Sequence, residues 1–205
     1  MVSDQWSGDE GENVVTAVVL AGGKSRRMER DKLELLHDGA TLLESVVARF
    51  KHEFSVVLSV ADAAKYPHIK TQRIVDILPG AGPLSGLHAA LKTLPDEGVF
   101  LVAADLPFAC PAAAERITRL CGEKEACVIK LPDGRLEPLF GYYKKSLLAR
   151  SEEAISSGNY RMSDFIALAD TRFIDPVKEL GDSWDERIVL NINYPEDYEK
   201  IVNIY

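Results

Sequence analysis

Residues 14–20 read VVTAVVL, a run rich in β-branched side chains with no alternation of apolar and polar positions. A strand with one wet face alternates. An unbroken run is what a strand buried on both faces requires. Such a strand needs cover on each side, which points to a mostly parallel sheet with helices on both faces. Gly22 and Gly23 follow almost at once, so the chain leaves this strand through a turn nearly free of side chains.

The rest of the chain supplies the cover. Thr41 and Glu44 have the spacing of a capping box, and Leu42, Leu43, Val46, Val47 and Phe50 recur at helical intervals, which predicts a helix over 42–50. Strands are predicted at 55–60 and 74–78, a glycine-rich turn at 80–86, and a helix at 87–94 before Pro95. A buried strand at 99–104 runs into Asp105, and Pro111 opens a helix to residue 120. Asp133-Gly134 is a hairpin signal between strands at 127–131 and 139–143. Helices are expected at 144–155, 162–169 and 195–202, and a late strand at 188–191. Strands alternate with helices over the first two-thirds, so the fold class is α/β, in a single domain spanning 14–205. Residues 1–13 form an acidic tail expected to be disordered. Ligands of such sheets bind at the carboxyl ends of the strands, where residues 21–31, 79–86 and 105–107 all lie.

Composition excludes several functions. Twenty-four basic against thirty-two acidic residues give a net charge of −8, which argues against a general nucleic-acid binder. No apolar run approaches the ~20 residues that span a bilayer. The acidic start lacks the regions of a signal peptide, so a cytoplasmic protein is expected. Cys110, Cys121 and Cys127 contain no C-x-x-C pair and read as reduced thiols without zinc. None of His37, His52, His68 and His88 falls in a motif.

The first loop, residues 20–32, reads LAGGKSRRMERDK. Its glycines let the backbone approach a ligand and turn N–H groups toward anionic oxygens. Arg26, Arg27 and Lys32 add the positive charge that a triphosphate losing pyrophosphate needs. A P-loop would require glycine at position 18, which is Val18. A dinucleotide fingerprint starting at Gly80 and Gly82 would need its third glycine at position 85, but that glycine is Gly86. A plain solvated loop is a poor alternative. Lys24, Arg26, Arg27 and Arg30 would repel one another without an anion nearby.

The loop resembles the LAGGxSxRMGxDKxxL signature of the molybdenum cofactor guanylyltransferases, within the nucleotidyltransferase superfamily. Leu20, Ala21, Gly22, Gly23, Ser25, Arg27, Met28, Asp31, Lys32 and Leu35 fall in line. One position departs: Glu29 stands where the family has glycine. The resemblance implies a Rossmann-like nucleotidyltransferase fold, with Lys32 as the catalytic lysine and Arg27 beside it. Asp76 followed by GPLSGL is similar to the family's base-binding segment, which implies that Asp76 and the backbone at Gly82, Pro83 and Gly86 hold guanine and ribose. A carboxylate can accept from guanine N1–H and N2–H₂ together. Ser59 aligns with a further nucleotide-contact position. LAGG rather than LAAG in the first loop favours GTP over CTP. Asp105 in D-x-P aligns with the family's magnesium ligand, and a strand-end carboxylate suits Mg²⁺, with Mn²⁺ as a substitute. A turn or helix-cap aspartate before Pro111 is the structural alternative.

The last third resembles the acceptor side of the family. Arg135, Arg161 in a G-x-x-R element, and Asn191 and Asn193 in NINYPED are the candidates for binding the acceptor's phosphate. Surface salt bridging is the alternative for both arginines. Strand alternation would put both asparagines on one face. The implied reaction moves GMP from GTP to the phosphate of molybdopterin cofactor and releases pyrophosphate. Molybdenum cofactor biosynthesis proteins or apo-molybdoenzymes are the implied protein partners, and the chain is expected to act as a monomer. Two other readings stay open. One is a relative that uses CTP or another acceptor, such as a cytidylyltransferase of the same cofactor pathway or a 2-phospholactate guanylyltransferase. The other is a non-catalytic nucleotide-binding protein in which Glu29 marks a degraded loop.

Overall fold

The computed structural model describes residues 15–22, 32–37 and 39–192. The tail 1–13, Gly23, Arg26, Arg27, Glu29, Asp31, Asn193 and the helix expected at 195–202 lie outside the described residues. Strand β1 (Thr16–Leu20) is buried from Thr16 to Val19, as a strand covered on both faces must be. A 3₁₀ turn, Lys32–Glu34, leads to a small hairpin of β2 (Leu36–His37) and β3 (Ala40–Thr41). Helix α1 (Leu42–Phe50) opens with the expected capping box. The Thr41 hydroxyl accepts from the Glu44 amide at 3.1 Å, and the Thr41 amide donates to Glu44 Oε2 at 2.7 Å. Such a cap contributes about 1 kcal/mol.

Strand β4 (Ser55–Val60) pairs in parallel with β1, and β5 (Gln72–Val75) extends the sheet beyond β4. Helix α2 (Pro83–Thr93) then carries the chain back, and β6 (Gly98–Ala103) pairs with the opposite side of β1. Helix α3 (Pro111–Leu120) precedes β7 (Ala126–Lys130), and β8 (Leu136–Lys144) inserts antiparallel between β6 and β7. Helices α4 (Leu148–Ser156) and α5 (Met162–Leu168) lead to β9 (Thr171–Ile174), parallel to β7, and to α6 (Pro176–Glu179). The described strands form a seven-stranded sheet in the order β5-β4-β1-β6-β8-β7-β9. The chain moves outward from β1 through β4 to β5, then reverses to β6. That reversal opens a crevice at the carboxyl ends of β1 and β6.

Alternate side chains of the central strands feed two cores. Ala17, Val19, Leu58 and Val102 pack with Phe50 of α1 and Ile117 of α3 on one face. Val18, Val57, Leu101 and Val128 pack with Leu87 of α2 and Phe165 of α5 on the other. Both faces are therefore sealed, and ligand access is left to the strand ends. Among the described residues no helix is long and apolar enough to cross a membrane.

Several boundaries differ from expectation. The expected helix 87–94 begins at Pro83, inside the segment read as a turn. Gly82 supplies a cap at φ 61°, proline suits the first helical position, and the Ser85 hydroxyl accepts from the Ala81 amide at 3.0 Å. The strand expected at 74–78 lies at Gln72–Val75, anchored where Arg73 donates to the carbonyls of Tyr66 and Ile69. Strand β8 starts at Leu136 rather than at 139. A register shift at Val128/Ile129 admits Pro138, which has no amide to donate. The strand expected at 188–191 is instead a 3₁₀ turn, Glu186–Val189, because the Asp185 carboxylate caps it by accepting from the Arg187 amide at 2.9 Å. Strand alternation therefore does not place Asn191. Strand β9 and helix α6 were not anticipated. TRFI is half polar, and it becomes a strand by pairing with the open edge of β7.

Gly86 positions α2 against the sheet. A Cβ there would lie 2.6 Å from Ser59 Oγ and 2.7 Å from Leu20 Cδ2. Gly86→Ala should therefore lower unfolding free energy by about 1–3 kcal/mol in urea titration, the usual cost of overpacking. An unchanged midpoint would show that the helix does not need this close approach.

Candidate active site

Lys32 sits on the 3₁₀ turn, which is anchored by buried Leu33 and closed by a bond from the Leu35 amide to the Lys32 carbonyl. The next helix then holds the turn in place, since the Leu42 amide donates to the Leu35 carbonyl at 3.0 Å. Lys32 Nζ donates to Asp105 Oδ2 at 2.6 Å and to the Ile192 carbonyl at 3.0 Å. The Ile192 amide in turn donates to the Asp105 carbonyl at 3.1 Å. Three segments that are remote in sequence thus meet at one point, just beyond the carboxyl end of β6. The Lys32 and Asp105 side chains are 20% and 21% exposed, so the pair is shielded yet reachable.

The neighbouring loops are fixed by local bonds. The Ala104 amide donates to the Leu20 carbonyl at 3.2 Å, and the Ala21 amide to the Ser59 carbonyl at 2.9 Å, so the ends of β1, β4 and β6 are stitched together. Beyond Asp105, Arg49 of α1 donates to the carbonyls of Pro107 and Ala109. On the β5 side, Asp76 follows its strand by one residue and is half-buried, and burial raises its carboxyl above the ordinary range. The loop from Pro79 to Gly82 is held by Ser85, whose hydroxyl donates to the Leu78 carbonyl at 2.6 Å. Ser85 was missed at the sequence level. Its signal was a hydroxyl two residues into a proline-started helix.

Of the sequence candidates, Leu20 ends β1, Ala21, Gly22 and Lys32 follow it, Asp76 follows β5, Gly82 caps α2 with Pro83 and Gly86 in that helix's first turn, and Asp105 follows β6, all toward the carboxyl edge of the sheet. Ser59 is 2% exposed and packs beneath Gly86. Arg135 is exposed, and its Nε donates to Asp133 Oδ2 at 2.7 Å, so the salt-bridge alternative holds in this state. Arg161 is exposed at the start of α5, and Asn191 adjoins Ile192. Arg27 and Asn193 lie outside the described residues. Cys110, Cys121 and Cys127 are free thiols, the last two buried.

Glu137, on β8, also escaped the sequence reading. It is 9% exposed, and its carboxyl is pushed up to about 7 by burial, with the Asp105 charge adding and a hydrogen bond from the Leu139 backbone opposing. Glu137 and Asp105 are thus two carboxyl groups close enough to feel each other's charge. Among the described residues no group of three or more His, Cys, Asp or Glu is gathered to hold a metal. A zinc site is poorly served by that set. A hard cation that takes one or two carboxylates and completes its shell with phosphate oxygens and water is well served.

Glu137 also sets a pH dependence. From pH 4.5 to about 7 the unfolded chain ionises this carboxyl while the folded chain keeps its proton. The folded state then binds more protons, so stability falls as pH rises through this window. Glu137→Gln should match wild type near pH 4 and be more stable at pH 8, by about 3 kcal/mol at most. Thermal melts at the two pH values measure the difference, and an equal shift at both would assign it to packing.

Comparisons with known proteins bear on the fold and the family. The chain is 31% identical over 191 residues to a probable molybdenum cofactor guanylyltransferase of Carboxydothermus hydrogenoformans, covering 93% of this chain and 96% of that protein. Its fold matches the crystal structure of molybdopterin-guanine dinucleotide biosynthesis protein A from Archaeoglobus fulgidus with a TM-score of 0.81, at 24% identity over 93% of this chain and 98% of that one. A Mycobacterium tuberculosis protein solved in complex with manganese shares the fold at a TM-score of 0.64 and 19% identity, covering 94% of this chain and 100% of that one. A family model described as the MobA-like NTP transferase domain matches residues 17–175, and the chain belongs to that family.

Proposed function

We propose that this chain transfers GMP from GTP to the terminal phosphate of molybdopterin cofactor, forming the guanine dinucleotide cofactor and releasing pyrophosphate. The observation that carries this reading is the Lys32–Asp105 pair at the sheet's reversal point, with Ala21 and Gly22 after β1 and Asp76 after β5 at the same edge. An acceptor phosphate oxygen attacks the α-phosphorus in line. The new P–O bond forms as the bond to the bridging oxygen of the β-phosphate breaks, and pyrophosphate leaves with the charge. Lys32 compensates that charge. The reaction needs positioning and electrostatics more than a proton acceptor.

Asp105 would hold Mg²⁺, with Mn²⁺ as a substitute, and the Glu137 carboxyl is near enough to feel its charge. Such an ion would supply positive charge that screens the phosphates. Asp76, half-buried just beyond β5, is a carboxyl that can accept from hydrogen-bond donors on a base. The guanine edge presents N1–H and N2–H₂ together, whereas cytosine offers only its N4 amino group. This chemistry supports GTP over CTP.

The decisive measurement is pyrophosphate release from GTP or CTP with purified molybdopterin and Mg²⁺. GTP should support turnover and CTP should not. Faster release with CTP, or with 2-phospholactate as acceptor, would replace this reading. Lys32→Ala and Asp105→Asn should each lower the GTP rate by about 10²-fold or more, the scale for losing a preorganised charge at a transition state. Rates within a few-fold of wild type would remove both residues from the mechanism.

A further inference from the structure

The strands on the far side of Asp105 end over a pocket of about 700 Å³, within the size range of small-molecule sites. One wall is the β7–β8 turn, closed by the Leu131 amide donating to the Arg135 carbonyl at 2.8 Å. Strands β6 and β7 run in the same direction, each antiparallel to β8, so this turn lies at the same edge of the sheet as Asp105. The opposite wall is the segment carrying Trp184, Val189 and Asn191. Trp184 and Val189 are half-buried and pack on the core, which makes that wall rigid. Asn191 precedes Ile192, whose carbonyl accepts from Lys32 and whose amide donates to Asp105. One end of the pocket therefore adjoins the reacting pair.

The charges in the lining identify the kind of ligand. Arg135 and Arg187 are offset by Asp133 and Glu186, giving a lining of zero formal charge. Arg135 is paired with Asp133, and Arg187 is held by Asp185 at 2.6 Å while lying over the Phe108 ring at 5.5 Å. A pocket for a phosphate would carry excess positive charge. This one offers an indole, apolar side chains, and hydrogen-bonding groups of both polarities. That is the complement of a flat, uncharged heterocycle with donors and acceptors on its rim.

We propose that this pocket seats the heterocycle of the acceptor, with Trp184 as its apolar wall, while Asn191 leads the acceptor's phosphate toward Lys32. This rests on the reading that the acceptor is a phosphorylated pterin. It reassigns Arg135 from the phosphate to the rim of the ring site, and it leaves Arg161, on the start of α5, outside the pocket.

The test uses the full chain and 6-hydroxymethylpterin monophosphate as probe, followed by calorimetry and by pterin fluorescence. Wild type should bind the probe. Trp184→Ala should weaken it by roughly tenfold or more, the scale of losing one aromatic stacking partner. Leu190, also in the lining, is 43% exposed, so Leu190→Glu blocks the pocket without emptying the core and decides the matter if Trp184→Ala fails to fold. GTP–Mg²⁺ affinity should stay at the wild-type value in both. Failure of wild type to bind the probe, or wild-type probe affinity in Leu190→Glu, would overturn the proposal. Probe binding lost in Leu190→Glu, in a chain that releases no pyrophosphate from GTP and molybdopterin, would keep the pocket and refute the proposed reaction. GMP transfer with an unchanged acceptor KM in Leu190→Glu would do the reverse.

Discussion

The contact on which the site depends is the ammonium of Lys32 held between the Asp105 carboxylate and the Ile192 carbonyl. It joins segments 73 and 160 residues apart, so no local propensity could create it. Each partner reaches the meeting point for a separate reason. Lys32 is delivered by a turn pinned through Leu33 and Leu35 to the core and to α1. Asp105 is delivered by the end of a wholly buried strand. Ile192 is itself buried and packs on Leu42. A lysine and an aspartate in contact satisfy each other before a substrate arrives. A ligand that takes either group meets side chains already oriented, which lowers the ordering cost of binding.

The sheet order makes this point the natural site. The chain moves from β1 out to β5 and returns to β6, so β1 and β6 are neighbours at the point of reversal, where ligands of such sheets bind. The sheet then divides into two territories. β4 and β5 lie on one side, with Asp76 and the α2 start braced by Ser85. β8, β7 and β9 lie on the other, with the pocket walled by Trp184. The Lys32–Asp105 pair stands between them, which is where a group passing from one ligand to another must be handled. Gly86 serves the first territory by letting α2 touch Leu20 and Ser59.

Much of this was readable in the chain. The unalternating run at 14–20, the capping box at Thr41 and Glu44, the glycine-rich segments near Lys32 and Asp76, and the apolar run that ends at Asp105 depend on neighbours a few residues away. Local geometry and periodicity therefore placed them at strand ends. What was misread depended on distant partners. Glu137 lies outside the strand expected at 139–143, yet β8 buries it, and burial together with the Asp105 charge raises its carboxyl. Residues 188–191 carry apolar side chains suited to a strand, but Asp185 caps a 3₁₀ turn there instead.

The sequence by itself determined that β1 is buried on both faces, that helices must cover it, and that a glycine-rich, cationic segment follows it. Those outcomes come from side-chain periodicity and backbone freedom, which act over a few residues. Only the tertiary structure decided that β8 runs antiparallel inside the sheet, that Lys32 meets Asp105, and that Arg135 and Asn191 share a pocket from which Arg161 is absent. These are consequences of strand order and of the desolvation of paired charges. Both are properties of the assembled fold that no single segment carries.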